Sequence, residues 1–139
     1  MSLYTQYKTN KNLETDGVLL EYGVNSKGLP IRIRIARAGG ANQAFSRCYE
    51  QKTKPYRRQI QTETLDSKIA ERISLEVYAE TVVLGWENVE DEEENELPFN
   101  KENCIKLFTD LPELFMDVMK ASQSIAIFRA ETRGADAKN

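Results

Sequence analysis

Ile31-Arg32-Ile33-Arg34-Ile35 alternates β-branched and charged side chains without a break. Only an extended strand places such a pattern sensibly, with the isoleucines on one face and the arginines on the other. The segment therefore demands a sheet that is dry on one side and wet on the other. Upstream, Val18, Leu20 and Tyr22 share one face at the same period, and the stretch from Gly23 to Pro30 is rich in the Gly, Asn and Ser of turns. The two runs are expected to pair as an N-terminal β-hairpin.

Everything after Gly39-Gly40 reads as helical. Ala41, Ala44, Phe45, Cys48 and Tyr49 follow the three-four spacing of an amphipathic helix, which Pro55 interrupts. A short helix from Pro55 is expected to turn Tyr56 and Ile60 inward. Asp66 is a good N-cap for a longer helix through Ile69, Ile73, Val77 and Leu84, with Gly85 as its stop. Glu87 to Glu96 reads as an acidic loop, Asn100 as the cap of a helix carrying Cys104, Ile105 and Phe108, and Asp110 as the cap of a last helix reaching Phe128 or Glu131. The expected fold is α+β and mainly α, a hairpin followed by about four to five helices. Residues 1–15 are expected to be a flexible arm ordered where Tyr4 and Tyr7 dock, 16–131 a single globular domain, and 132–139 a flexible polar tail.

Composition narrows the chemistry. The 139 residues contain no histidine, which removes Ser-His and Cys-His nucleophiles and the imidazole proton shuttle. Cys48 and Cys104 are far apart and form no zinc or disulfide pattern, which suits a reducing compartment. No basic segment followed by an apolar run opens the chain, and no stretch approaches the ~20 apolar residues that span a bilayer. The expectation is a non-catalytic protein of the cytoplasm, with no cofactor, no metal and no membrane. Charge is uneven. Residues 1–60 hold 11 Lys+Arg against 4 Asp+Glu, net +7, and residues 61–139 hold 8 against 18, net −10, which together give −3. Such asymmetry favours docking of opposite ends within one chain or head-to-tail between copies.

Four features invite a sharper function and each has a plainer account. Lys52-Thr53-Lys54-Pro55-Tyr56-Arg57-Arg58 interleaves cations with a tyrosine, as nucleic-acid surfaces do. The chain is acidic overall and carries no recognition-helix pattern, so a solvated face or a protein-docking patch is preferred. Gly39-Gly40 lacks the longer spacing and the following Lys-Ser/Thr of a phosphate loop, and reads as a sharp turn. Asp91, Glu93, Asn95 and Glu102 fall at calcium-loop positions, but the sixth position is Glu96 where a glycine is needed. Trp86 is expected to fold onto the core in preference to an interface.

The last helix is the most informative element. Leu114, Val118, Ala121, Ile125 and Phe128 form a heptad seam, and Phe115, Met119, Ser122 and Ala126 run beside it. Either both lines are covered within the chain, or one is offered to a partner. Ile31, Ile33, Ile35, Phe45, Ile69, Ile73, Val77, Trp86, Leu114, Val118 and Ile125 are expected in the core. Phe115, Met119, Ser122 and Ala126, with Arg57 and Arg58, form the candidate surface for a partner or for self-association.

The segments Arg34–Phe45, Lys54–Gln61, Val83–Val89 and Leu97–Cys104 together resemble the tail assembly chaperones of long-tailed bacteriophages. The likeness runs from about residue 15 to the tail, though relatives often have a glycine in the acidic loop and this chain has none. The resemblance implies a mostly helical, self-associating protein of the host cell cytoplasm. It would bind the tape measure protein, keep its apolar helices soluble, help recruit tail tube protein and be absent from the mature virion. In many members a ribosomal frameshift adds a second domain to a minority of chains. The resemblance supplies no active-site residues. A head-tail joining or other structural phage protein is the alternative, and a small nucleic-acid-binding module a further one.

Overall fold

The alternating segment is a strand. The computed structural model describes residues 2–129 and 136–138. Strands β1 (Val18–Val24) and β2 (Pro30–Ile35) pair antiparallel, with Val18 opposite Ile35 and Leu20 opposite Ile33. Those four side chains are buried, while Glu21, Arg32 and Arg34 stay on the wet face, where Arg32 reaches Glu87 at 2.9 Å and Glu21 at 3.5 Å. The turn is closed by Asn25, whose Oδ1 accepts the amides of Lys27 and Leu29.

A third strand follows where helix was expected. Helix α5 (Ser67–Thr81) is capped by Asp66 as anticipated, but it ends before Leu84, and Val83–Glu87 forms β3. β3 pairs with β2, setting Trp86 beside Ile33 and Gly85 beside Arg34. The β-branched pair Val82-Val83 weakens helix there, and the open edge of β2 supplies the hydrogen bonds that a strand needs. Gly85 is thus a wet-face strand residue and no helix stop. β4 (Asp136–Lys138) adds to the far side of β1 in parallel, giving the order β3-β2-β1-β4. The rest of the expected polar tail, 132–135 and 139, lies outside the described residues.

The segment before β1 is helical, in α1 (Leu3–Tyr7) and α2 (Lys11–Asp16). Tyr4 and Tyr7, expected to dock, are exposed. What ties the segment down is Glu14, a buried carboxylate that accepts from the Arg37 guanidinium and from the Ala41 amide. Gly40 makes room for it, since a Cβ there would lie 2.6 Å from Glu14 Oε2.

Helix α3 (Gln43–Thr53), a 3-10 turn at Lys54–Tyr56 containing Pro55, and α4 (Arg57–Gln61) follow the double glycine. Lys52 binds α3 to α5 through Glu76 at 3.1 Å and Glu80 at 2.9 Å. Tyr56 is half-buried, but Ile60 is 43% exposed and does not face inward. α4 is too short to lay a face against α5 and forms an outer corner.

Helices α6 (Lys101–Asp110) and α7 (Pro112–Ser122) close the dry side of the sheet. Asp110 is the last residue of α6 and pairs with Lys106 at 2.8 Å, so it does not cap α7; Pro112 starts that helix. α7 stops at Ser122, short of the expected Phe128. The Ser122 hydroxyl donates back to the Met119 carbonyl, and the Ser122 carbonyl accepts the Ala38 amide, so the chain turns away over 125–128. Phe108, Phe115, Tyr78 and Phe45 form a continuous line of ring contacts through the core.

Candidate partner-binding trough

Three separate stretches of chain meet at one edge of the molecule. After β3, Asn88 adopts φ 63° and donates to the Pro30 carbonyl at 2.7 Å, which turns the acidic loop back toward the hairpin. Val89 plugs in behind it, and Glu90 is drawn to the hairpin turn, accepting from the Ser26 amide at 2.9 Å and the Ser26 hydroxyl at 2.7 Å. Those bonds, the amide first, hold the Glu90 carboxyl below its ordinary range, with Lys27 adding to the effect. Asp91 Oδ1 accepts the amides of Glu93 and Asn95, and Glu94 closes the turn at φ 65°. No glycine stands in the loop, so Glu94 takes the left-handed position that a glycine takes more readily.

Between this loop, the hairpin end and the α6–α7 junction runs a trough. Its inner part, about 390 Å³, is floored by Ile31, Leu107, Leu111 and Leu114 and walled by Tyr22 and Val24. Its outer part, about 530 Å³, shares Leu107, Leu111, Glu90 and Asp91 and adds Leu97, Glu92, Glu93 and Asp110. Val24 is 64% exposed and Leu111 is 48% exposed, although both are apolar. The Tyr22 hydroxyl donates to Asp117 at 2.7 Å and fixes the wall. Lys106 answers the rim in part. Its hydrogen bond to Asp110 raises its pKa above the ordinary lysine value, with Glu92 and Glu93 contributing. The result is an apolar floor with an acidic rim, suited to an apolar stripe flanked by cations.

The α7 assignment needs correction. Phe115 and Ser122, placed on the partner side, are buried; Met119 is half-buried and only Ala126 is exposed. Of the line placed in the core, Val118 is buried, whereas Leu114 and Ile125 are half-buried. The dry stripe is Phe115, Val118, Ala121 and Ser122, at helical spacing, and it takes two residues from each of the two apolar lines. Ile33, Ile35, Ile73 and Val77 are buried, and Ile31, Phe45 and Ile69 are half-buried. Trp86 is half-buried, donating to the Leu97 carbonyl at 2.8 Å and meeting Phe99 edge-on. Arg57 and Arg58 are exposed at the start of α4, and neither lines the trough.

Sequence reasoning missed Val24, Leu107 and Leu111 as residues lining the trough. The available signal was Leu111 between an acid and a proline, an apolar residue at a break where no helix face can hide it. Among the described residues no group of His, Cys, Asp or Glu side chains converges to hold a metal ion, and Asp91 spends one oxygen on the loop's own amides.

A family model described as YdaY prophage protein matches residues 40–139. The chain belongs to the YdaY prophage protein family. It is therefore a protein of phage origin. The YdaY match contains the acidic loop, α6 and α7, while the hairpin wall of the trough precedes its first residue. Neither a curated protein nor a solved structure matches the chain. Among the described residues no helix is long and apolar enough to cross a membrane.

Proposed function

We propose that the chain is a phage tail assembly chaperone, a non-catalytic protein that covers apolar helical segments of the tape measure protein in the host cytoplasm. It helps recruit tail tube subunits and is left out of the mature virion. The observation that carries this reading is the trough, a prepared apolar surface with charged edges in a protein of phage origin. An amphipathic helix laid in such a groove buries its anchors and leaves its polar face in water. The likeness of four segments to tail assembly chaperones points to the tape measure protein as the helix donor. Many weakly held copies on one long partner would shield it by avidity and still release to tube subunits.

Co-expression with the tape measure protein of the same prophage tests this. The tape measure protein should stay soluble with the chain present and precipitate without it, and purified particles should lack the chain. Equal precipitation in both cases refutes the reading. The chain at fixed stoichiometry in particles would make it a structural component instead.

A further inference from the structure

The two parts of the trough offer a partner different things. They share Leu107 and Leu111 on the floor and Glu90 and Asp91 on the rim. Beyond those two acids no charged side chain lines the inner part; Asp117, which accepts from the Tyr22 hydroxyl, does not line it. The outer part adds Glu92, Glu93 and Asp110. Several of these carboxylates are already engaged. Glu90 accepts from Ser26 twice and lies 3.7 Å from Lys27, and Asp91 Oδ1 accepts the amides of Glu93 and Asn95. Asp110 is answered by Lys106 at 2.8 Å. Glu92 and Glu93 are exposed and form no ion pair among the described residues. Unanswered negative charge therefore stands at the outer end, while the inner end offers mainly apolar surface, with Val24 exposed and Ile31 and Leu114 half-buried.

Such a gradient fixes a direction. A helix carries partial positive charge at its N-terminus and partial negative charge at its C-terminus. Laid along the trough, it is favoured with its first turn at Glu92 and Glu93 and its last turn against Val24 and Ile31. Lys or Arg in that first turn costs the free helix some stability against its own dipole, and the two carboxylates offset this on binding. Asp or Glu there, which suits a free helix better, is repelled by the rim. We propose that the trough binds an amphipathic helix in one direction only, with cations in its first turn at Glu92 and Glu93 and its apolar stripe running over Leu111 and Leu107 to Ile31. The partner is thus chosen by the order of its residues, cations before the apolar stripe, and not by apolar surface alone. The proposal deepens the chaperone reading and rests on it for the source of the helix. Of the tape measure protein's apolar segments, those opened by Lys or Arg are the ones this trough covers.

The probes are two synthetic amphipathic peptides of identical composition, with blocked termini and leucines at one helical spacing. One carries its lysines in the first turn and the other in the last. Fluorescence anisotropy follows their binding to the full chain. The first-turn isomer should bind about tenfold more tightly at low salt, and the difference should shrink as salt rises. Glu92→Gln with Glu93→Gln should abolish the preference. Leu111→Ser should weaken both isomers by about tenfold, because each loses an apolar anchor. A benzophenone on the N-terminus of the first-turn isomer should photolabel residues 90–97 of the unaltered chain, and one on its C-terminus residues 22–31. That readout does not depend on how the variants fold. Equal affinity for the two isomers, tighter binding of the last-turn isomer, reversed labelling or no binding of either peptide overturns the proposal. Labelling confined to α3–α5 overturns it too. If the isomers bind alike while the chain still keeps the tape measure protein soluble, the direction fails and the chaperone reading stands. If the peptides bind in the expected direction while the tape measure protein precipitates, the chaperone reading fails and the direction stands.

Discussion

Glu94 closes the acidic loop at φ 65°, a backbone conformation that disfavours side chains with a Cβ. The neighbouring carboxylates add repulsion, which Lys106 relieves in part for Glu92 and Glu93. Replacing Glu94→Gly removes the steric penalty and one charge, against the greater freedom that glycine gives the unfolded chain. The net expected gain is about 0.5–1 kcal/mol in urea unfolding, with the trough unchanged. A loss of stability would mean that the Glu94 side chain holds something its geometry does not suggest. Glu14 illustrates the limit of reading residues singly. In sequence it is one acid in a polar N-terminal stretch, and nothing marks it as the carboxylate that receives Arg37 and the Ala41 amide. Its partners lie after the hairpin, so only the closed chain reveals the role of Gly40 beside it.

The hairpin was legible because its period is strict and its turn residues are unambiguous. β3 was not. Val83-Leu84-Gly85-Trp86-Glu87, with a single β-branched and a single aromatic residue, extends the pattern of the strong helix before it as well as it starts a strand, and only the empty edge of β2 decides. α7 was misassigned for a related reason: two apolar lines of similar strength looked like a long heptad seam, but the helix ends at Ser122. Substituting Phe115→Ala should therefore cost about 3–5 kcal/mol, because the ring stacks on Phe108 and abuts Tyr78. Met116→Glu, at a position 63% exposed on the same helix, should stay within about 0.5 kcal/mol. Equal losses from both would mean that α7 is enclosed on every side.

The clasp between α3 and α5 has a pH signature. Glu76 is held below its ordinary 4.5, by the Arg72 hydrogen bond first and by Lys52, while Lys52 is raised above 10.5 by Glu80 first and then Glu76. A lowered carboxyl contributes stability above its unfolded value and loses it as pH falls through the folded one. A raised lysine contributes below its unfolded value and loses it as pH rises through the folded one. The clasp is therefore complete between about pH 4.5 and 10.5. Melting of the unaltered chain and of Lys52→Met should differ most inside that window and converge below it. A constant difference down to pH 2 would remove the clasp from the account.

At the scale of the molecule, the proposed function rests on a surface that no single segment encodes. The hairpin end, the acidic loop and the α6–α7 junction are separated by tens of residues, and each alone reads as a turn, a solvated loop or a helix break. Sequence patterns found the charge asymmetry but not its geometry, and placed the partner surface on the buried side of α7. The chaperone reading requires an apolar partner segment to lie in this trough. Hydrogen exchange on the complex with tape measure protein is the test. New protection is expected at residues 22–26, 89–97 and 107–114, with α3 and α4 unchanged. Protection confined to α3–α5, or the absence of any in the trough while the complex persists, would contradict it.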